Sequence, residues 1–168
     1  MTDDLERPVR YLNLGGNLEC LSPVEVDKLL RRLREFVLPD IEIIFEPGSF
    51  WFQGARHAVC KVLAVEPLFD DGCRVVVDMS RDCPLRWSEP CLIHEINPGA
   101  AQTILFFGPT CHEGDLLGAF RVPRRADGSC AISQGDCLLF GAVDAYSSAW
   151  NTSFNGIEKA HMLVYGKH

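Results

Sequence analysis

The sequence predicts an α+β chain in which a βαβ unit, residues 1–57, is followed by an antiparallel β barrel or sandwich, residues 58–168. A strand–helix–strand pattern with clear helix-start signals occupies the first part. After residue 57 the texture changes to short β-rich runs separated by Gly, Pro and Asp. With 168 residues, 47% hydrophobic and 23% charged, the chain has enough apolar material for one compact domain plus a smaller piece.

The first element is Val9-Arg10-Tyr11-Leu12-Asn13-Leu14, apolar on both faces and closed by Gly15-Gly16, the pattern of a buried strand in a parallel sheet. A helix then starts. Ser22 suits the N-cap, Pro23 the first helical position, and Glu25 completes a capping box. Val26, Leu29, Leu30, Leu33, Phe36 and Val37 recur at helical spacing, with Lys28, Arg31, Arg32 and Arg34 on the other face, and Pro39 stops the run. Ile41–Phe45 reads as a second buried strand, ended by Glu46-Pro47-Gly48. The later strands are expected at Ala58–Val65, Arg74–Met79, Cys91–Ile96, Thr103–Phe107, Ala119–Val122, Cys137–Phe140 and His161–Tyr165, with turns at Asp70-Asp71-Gly72 and Asp127-Gly128.

Charge and cysteine usage narrow the function. A net charge of −7 speaks against a nucleic-acid partner, which wants a basic face. No run approaches the ~18 apolar residues of a membrane span, and the acidic N-terminus has no signal-peptide core. The eight cysteines form no C-x-x-C pair, so no metal site is expected and they read as reduced thiols of a cytoplasmic protein.

Four segments can carry chemistry. Gly15-Gly16, between strand and helix, is either a phosphate-holding turn or a plain tight turn. Glu46-Pro47-Gly48 places a carboxylate at the carboxyl end of the next strand, where parallel sheets bind ligands; otherwise it is an exposed acid before a turn. Gly108-Pro109-Thr110-Cys111-His112-Glu113-Gly114-Asp115 gathers a thiol, an imidazole and two acids after a strand. It reads as one wall of a shared pocket. Asp144–Gly156, polar and aromatic, lines a site or caps the β domain.

In this order the segments resemble the barrel-type (fold type III) pyridoxal-phosphate-dependent decarboxylases, the ornithine, diaminopimelate and carboxynorspermidine decarboxylase family. The likeness is nearest to carboxynorspermidine decarboxylase in Gly108-Pro109-Thr110-Cys111-x-x-Gly114-Asp115-x-x-Gly118 and Asn151-Thr152-Ser153-Phe154-Asn155-Gly156. The resemblance implies that Gly15, Gly16, Glu46, Gly48 and Tyr146 bind pyridoxal 5'-phosphate. Within that set, Glu46 pairs with the ring nitrogen and Tyr146 lies near the phosphate. It implies that Cys111 reprotonates the carbon that has lost CO₂, that His112 and Asp115 meet the distal end of a basic or carboxylated polyamine-type substrate, and that the protein dimerises.

Three positions depart from the family pattern: Asn17 follows the glycine pair, Ser49 replaces a phosphate-binding arginine, and His112 stands where an acid is common. The resemblance makes residues 1–57 a partial (β/α) barrel remnant, since a whole (β/α)₈ barrel takes about 250 residues, and the family's cofactor-bonding lysine lies before the glycine turn. Here Lys28, Lys61, Lys159 and Lys167 all follow it. The expectation is therefore a chain that needs a lysine-bearing partner, as a homodimer or as a heteromer with an N-terminal half or an intact paralogue. The alternative is a non-catalytic homologue that regulates or scaffolds an intact enzyme.

Overall fold

The computed structural model of the chain describes residues 9–16, 20–68, 72–93 and 101–166, in two units that divide between Phe52 and Gln53.

In the first unit, strands β1 (Tyr11–Asn13) and β2 (Glu42–Ile44) pair in parallel, with Leu12 opposite Ile43, and helix α1 (Pro23–Phe36) connects them. The capping box forms as its sequence predicts: the Ser22 N–H donates to Glu25 Oε2 at 2.8 Å and the Glu25 N–H donates back to Ser22 Oγ at 3.4 Å. The helix stops at Phe36, one residue before the expected Val37, whose extended backbone still donates to the Leu33 carbonyl. A short helix α2 (Gly48–Phe52), not anticipated, follows the Glu-Pro turn.

Both strands of this unit were expected to be buried, and neither is. No described residue of the unit is buried, and Phe36 and Trp51 are 78% and 71% exposed. The physical reason is simple. Among the described residues, a two-stranded ribbon with one long and one short helix supplies too few elements to cover its apolar faces.

The second unit is a six-stranded sheet of β3 (Arg56–Pro67), β4 (Cys73–Val77), β5 (Cys91–Ile93), β6 (Ala101–Phe107), β7 (Leu116–Pro123) and β8 (Cys137–Val143), in the order β5-β8-β3-β4-β6-β7. Burial alternates along β3 and β6, the period-2 signature that marked them in the sequence. Neighbours are antiparallel except β4 and β6, which run parallel. The chain leaves β4, lays β5 at the far edge beside β8, and returns, so the sheet is mixed rather than purely antiparallel.

The sheet curls until it nearly closes. Phe120 of β7 and Phe140 of β8 lie on strands four places apart, roughly 19 Å in a flat sheet. Their ring centroids are 5.4 Å apart. Phe106 meets both rings edge-on, and Val62, Val75, Val77, Ile104 and Val122 complete the core.

The expected strand His161–Tyr165 does not form: residues 157–166 run as coil, with Leu163, Val164 and Tyr165 more than 90% exposed. Its run of apolar and aromatic residues suits a pleated surface, but no described strand pairs with it, and β propensity without a ladder does not make a strand. The Asp127-Gly128 turn forms, with Gly128 at φ +83° and its N–H on the Arg125 carbonyl. Asp70 and Asp71 lie outside the described residues, although Leu68 N–H to Gly72 O at 2.8 Å closes that hairpin. Residues 94–96 of the expected fifth strand also lie outside them.

Burial separates the cysteines. Desolvation, with smaller contributions from Asp78 and Cys137, pushes the Cys60 thiol up from 9.0 to about 12. A folded-state value raised in this way stabilises the fold below pH 9 and is lost as pH rises towards 12. The expected result is that brief alkylation of native protein, read by peptide mass spectrometry, labels exposed Cys20, Cys91, Cys111 and Cys137 and spares buried Cys60 and Cys83.

Candidate functional site

In the first unit, Gly15, Gly16, Glu46 and Gly48 come together just past the carboxyl ends of β1 and β2. Leu14 N–H donates to Ile44 O at 3.0 Å and Glu46 N–H to Gly15 O at 2.7 Å, so parallel pairing continues past the strands. Gly15 adopts φ +70°, and a Cβ on Gly16 would stand 2.7 Å from the Glu46 carbonyl oxygen. Gly48 N–H returns to that same oxygen at 2.7 Å, tightening the turn into α2, whose first turn holds Ser49.

Asn13 organises this corner. Its Nδ2 donates to Glu46 Oε1 at 2.6 Å, and its Oδ1 accepts the Gly15 N–H at 2.8 Å. The glycine turn and the carboxylate are thus held by one amide. The Gly15 N–H, expected to face a phosphate, is spent inside the loop. Sequence reading passed over Asn13; the available signal was a polar residue at the end of an apolar strand, beside a Gly pair. Asn17 lies outside the described residues.

In the second unit, the loop from Gly108 to Asp115 joins β6 to β7, and Asp115 is its anchor. The carboxylate is 1% exposed. Oδ1 accepts Ser80 Oγ at 2.9 Å and the Arg81 N–H at 2.7 Å; Oδ2 accepts the Thr110 N–H at 3.2 Å and Thr110 Oγ1 at 2.6 Å. Gly108 is required beside it, since any Cβ there would collide with the carboxylate. Asp115 therefore ties the loop to the turn at Ser80–Cys83, with both oxygens engaged inside the chain.

Cys111 is exposed at the tip of this loop with φ +58°, an unusual conformation for a side-chain-bearing residue. Its neighbour His112 places Nδ1 2.8 Å from Asp82 Oδ2, and the ring lies over Gly114, where a Cβ would come within 2.7 Å of Cε1. Asn155, itself at φ +51°, donates its side-chain amide to the Thr110 carbonyl at 2.9 Å. So two of the four segments that carry the family likeness, remote in sequence, touch immediately before Cys111.

Tyr146 sits in a 3₁₀ helix, Ala145–Trp150, capped by Asp144, and is 48% exposed. This helix is fixed from beneath. Ser88 Oγ accepts the Asp144 N–H at 2.9 Å and shares a 2.5 Å hydrogen bond with Ser147 Oγ, which also donates to the Arg86 carbonyl. The pairing brings Trp87 and Trp150 edge to face at 6.2 Å, with the Arg86 guanidinium 4.7 Å above Trp150.

A cleft of about 390 Å³ opens beside Gly114, lined by Arg81, Asp82, Arg86, Trp87 and Glu89. A larger cavity of about 670 Å³ lies under the C-terminal coil, lined by Arg56, Asp78, Leu85, Asp144 and Lys159 among others; Cys111 and Tyr146 do not line it. Ser80, Asp82 and Arg86 were all missed in the sequence, because the run Ser80–Ser88 carries no periodic pattern.

No family model matches the chain. It is similar to the ornithine decarboxylase of Saccharomyces cerevisiae, 24% identical over 189 aligned residues that cover 94% of this chain and 40% of that protein. Among solved structures, it resembles the arginine decarboxylase of Paramecium bursaria Chlorella virus with a TM-score of 0.63 and 20% identity, covering 89% of this chain and 42% of that one. The lysine/ornithine decarboxylase of Vibrio vulnificus, complexed with putrescine, gives 0.60 at 18% identity, covering 90% and 42%. The carboxynorspermidine decarboxylase of Campylobacter jejuni gives 0.52 at 19% identity, covering 88% and 43%. These likenesses establish the fold. The chain spans about two fifths of the length of each of these proteins.

Proposed function

We propose that this chain supplies the β domain, the Cys111 loop and part of the cofactor site of a pyridoxal-phosphate-dependent decarboxylase acting on a basic or carboxylated polyamine-type substrate. The cofactor-bonding lysine comes from outside these 168 residues, on a partner chain. The observation that carries the reading is the contact between the two family motifs: Asn155 holds the Thr110 carbonyl and so braces Cys111 in its left-handed conformation. The division into a small N-terminal barrel piece and a β domain supports it. So does the presence of both Gly108–Gly118 and Asn151–Gly156, which favour the carboxynorspermidine-acting branch.

The residues of the first unit fit the cofactor. Asn13 holds the Glu46 carboxylate at the strand ends, where it can pair with a protonated ring nitrogen, and Gly16 permits the close approach of the Glu46 backbone that places it there. When bound, the cofactor supplies an electron sink for the carbon that loses CO₂. In a complete complex Cys111 would deliver a proton from Sγ to that carbon, Tyr146 would contribute a phosphate contact, and His112 would meet the distal end of the substrate. The apolar surface of Phe36 and Trp51 suits a covering partner, whether a second copy, an N-terminal half or an intact paralogue. The exposed thiols suit a reducing cytoplasm.

A second reading, a homologue that regulates or scaffolds an intact enzyme without catalysis, draws support from two saturated groups. Asp115 has no acceptor capacity turned outward, and the Gly15 N–H is occupied. Co-purification of the chain with its partner from the native host separates the two. Catalysis predicts that the complex decarboxylates its substrate and that Cys111→Ala lowers the rate by about 100-fold or more, the loss of a positioned general acid. Full activity of the Cys111→Ala complex would overturn the first reading. The chain alone is expected to be inactive, and a borohydride-trapped cofactor on Lys28, Lys61, Lys159 or Lys167 would contradict that.

A further inference from the structure

We propose that Asp82, a residue without any family motif around it, is a positioning residue: it holds His112 with Nε2 as the proton-accepting nitrogen, so that the Cys111 loop recognises an ammonium group. The substrate half of this inference rests on the reading above; the positioning half does not.

The geometry starts from Asp82. Its Oδ2 lies 2.8 Å from His112 Nδ1, and its Oδ1 faces Arg86 Nη1 at 3.9 Å, so the carboxylate is oriented from two sides. Arg86 in turn is held by the Trp150 ring. A carboxylate only accepts, so Nδ1 carries the proton in this pair, and in the neutral ring Nε2 is the nitrogen that keeps its lone pair. The residue is held at its backbone as well as at its ring. Its backbone N–H donates to Thr110 Oγ1 at 3.3 Å, and its face lies against Gly114. Thr110 is bonded to buried Asp115, so the imidazole is fastened to the best-anchored part of the loop.

A neutral imidazole held this way presents an acceptor, backed by a carboxylate one ring away. That arrangement suits a hydrogen-bond donor with positive charge, such as the terminal ammonium of a linear diamine. Protonation of His112 turns Nε2 into a donor and abolishes the fit. The charged and titratable groups around the ring are Asp82, Arg81, Arg86 and Glu89 from the facing segment and Cys111, Glu113 and Asp115 from its own loop. Arg81 is paired with Glu89 at 2.7 Å. Arg86 faces Asp82 and the Trp150 ring, and Asp115 is buried, so both arginines have partners other than the imidazole.

The test uses the purified 168-residue chain and nitrogen-15 NMR of its histidines, with His112→Gln for assignment. The wild-type His112 is expected as the Nδ1–H tautomer, and Asp82→Asn is expected to shift it towards Nε2–H while Asp82→Glu retains the wild-type form. Adding 1,4-diaminobutane to the protein with neutral imidazoles should move the His112 Nε2 resonance, and Asp82→Ala should raise the diamine concentration needed about tenfold, the worth of one charge-assisted hydrogen bond. An Nε2–H tautomer in the wild type, or a tautomer unchanged in Asp82→Asn, overturns the positioning role. A correct tautomer with no response to millimolar diamine overturns the recognition role. Neither readout needs decarboxylation, so a failed activity assay on the complete complex leaves both distinguishable.

Discussion

Asp115→Ala is expected to lower the unfolding free energy by about 3 kcal/mol and to release the Cys111 loop from the barrel. Four donors converge on this carboxylate: one hydroxyl and one backbone N–H from the turn at Ser80–Arg81, and the same pair from Thr110. Removing the acceptor leaves buried donors without a partner, each costing about 1–3 kcal/mol unless water replaces it, and the cavity left by the side chain is small enough that replacement is partial. Asp115→Asn keeps one accepting oxygen and should cost less. Urea denaturation gives the energies. Alkylation of Cys111 in the native state gives the release, as a rate that increases only in the Asp115 variants. A change below about 0.5 kcal/mol, the ordinary size of a surface substitution, would mean that the loop is held by something other than Asp115.

That prediction depends on a role the sequence did not disclose. Asp115 was legible as an important acid, since it closes the Cys-His motif, and the family likeness pointed it at substrate. Its burial was not legible. Burial depends on where the Ser80–Cys83 turn lies, 34 residues earlier along the chain, and nothing local in either segment encodes that meeting. His112 illustrates the same limit: its chemistry was apparent from type and position, while its partner Asp82 sits in a stretch without periodicity.

The elements that could be read were those whose physics is local. Ser22, Pro23 and Glu25 fix the start of α1 within one turn, and the alternation along β3 and β6 reports a face of a sheet directly. The strand expected at His161–Tyr165 failed because pattern records what a segment is fit to do, and a ladder requires an edge to pair with. The parallel pairing of β4 with β6 was likewise out of reach, since it follows from the route of β5 across the sheet. The buried strands expected in the first unit failed for want of a covering layer among the described residues, which makes their exposure a statement about neighbours rather than about the strands themselves.

Two phenylalanines separate these cases by experiment. Phe140→Ala should destabilise the β domain by about 3–5 kcal/mol, because Phe140 is fully buried and its ring meets Phe106 and Phe120 inside the nearly closed sheet. The damage should reach the site. β8 leads directly into Asp144, and Asp144 and Ser147 seat the helix that carries Tyr146. Phe36→Ala removes the same side chain from a helix where it is 78% exposed, and should change the stability of the isolated chain by no more than about 0.5 kcal/mol. In the presence of the proposed partner the order changes: Phe36→Ala should weaken association by about 1–3 kcal/mol if that face is covered. Chemical denaturation of the chain alone and titration against the partner measure the two effects separately. An equal loss in both settings for Phe36→Ala would place the residue in the chain's own core and remove the apolar face as evidence for a covering subunit.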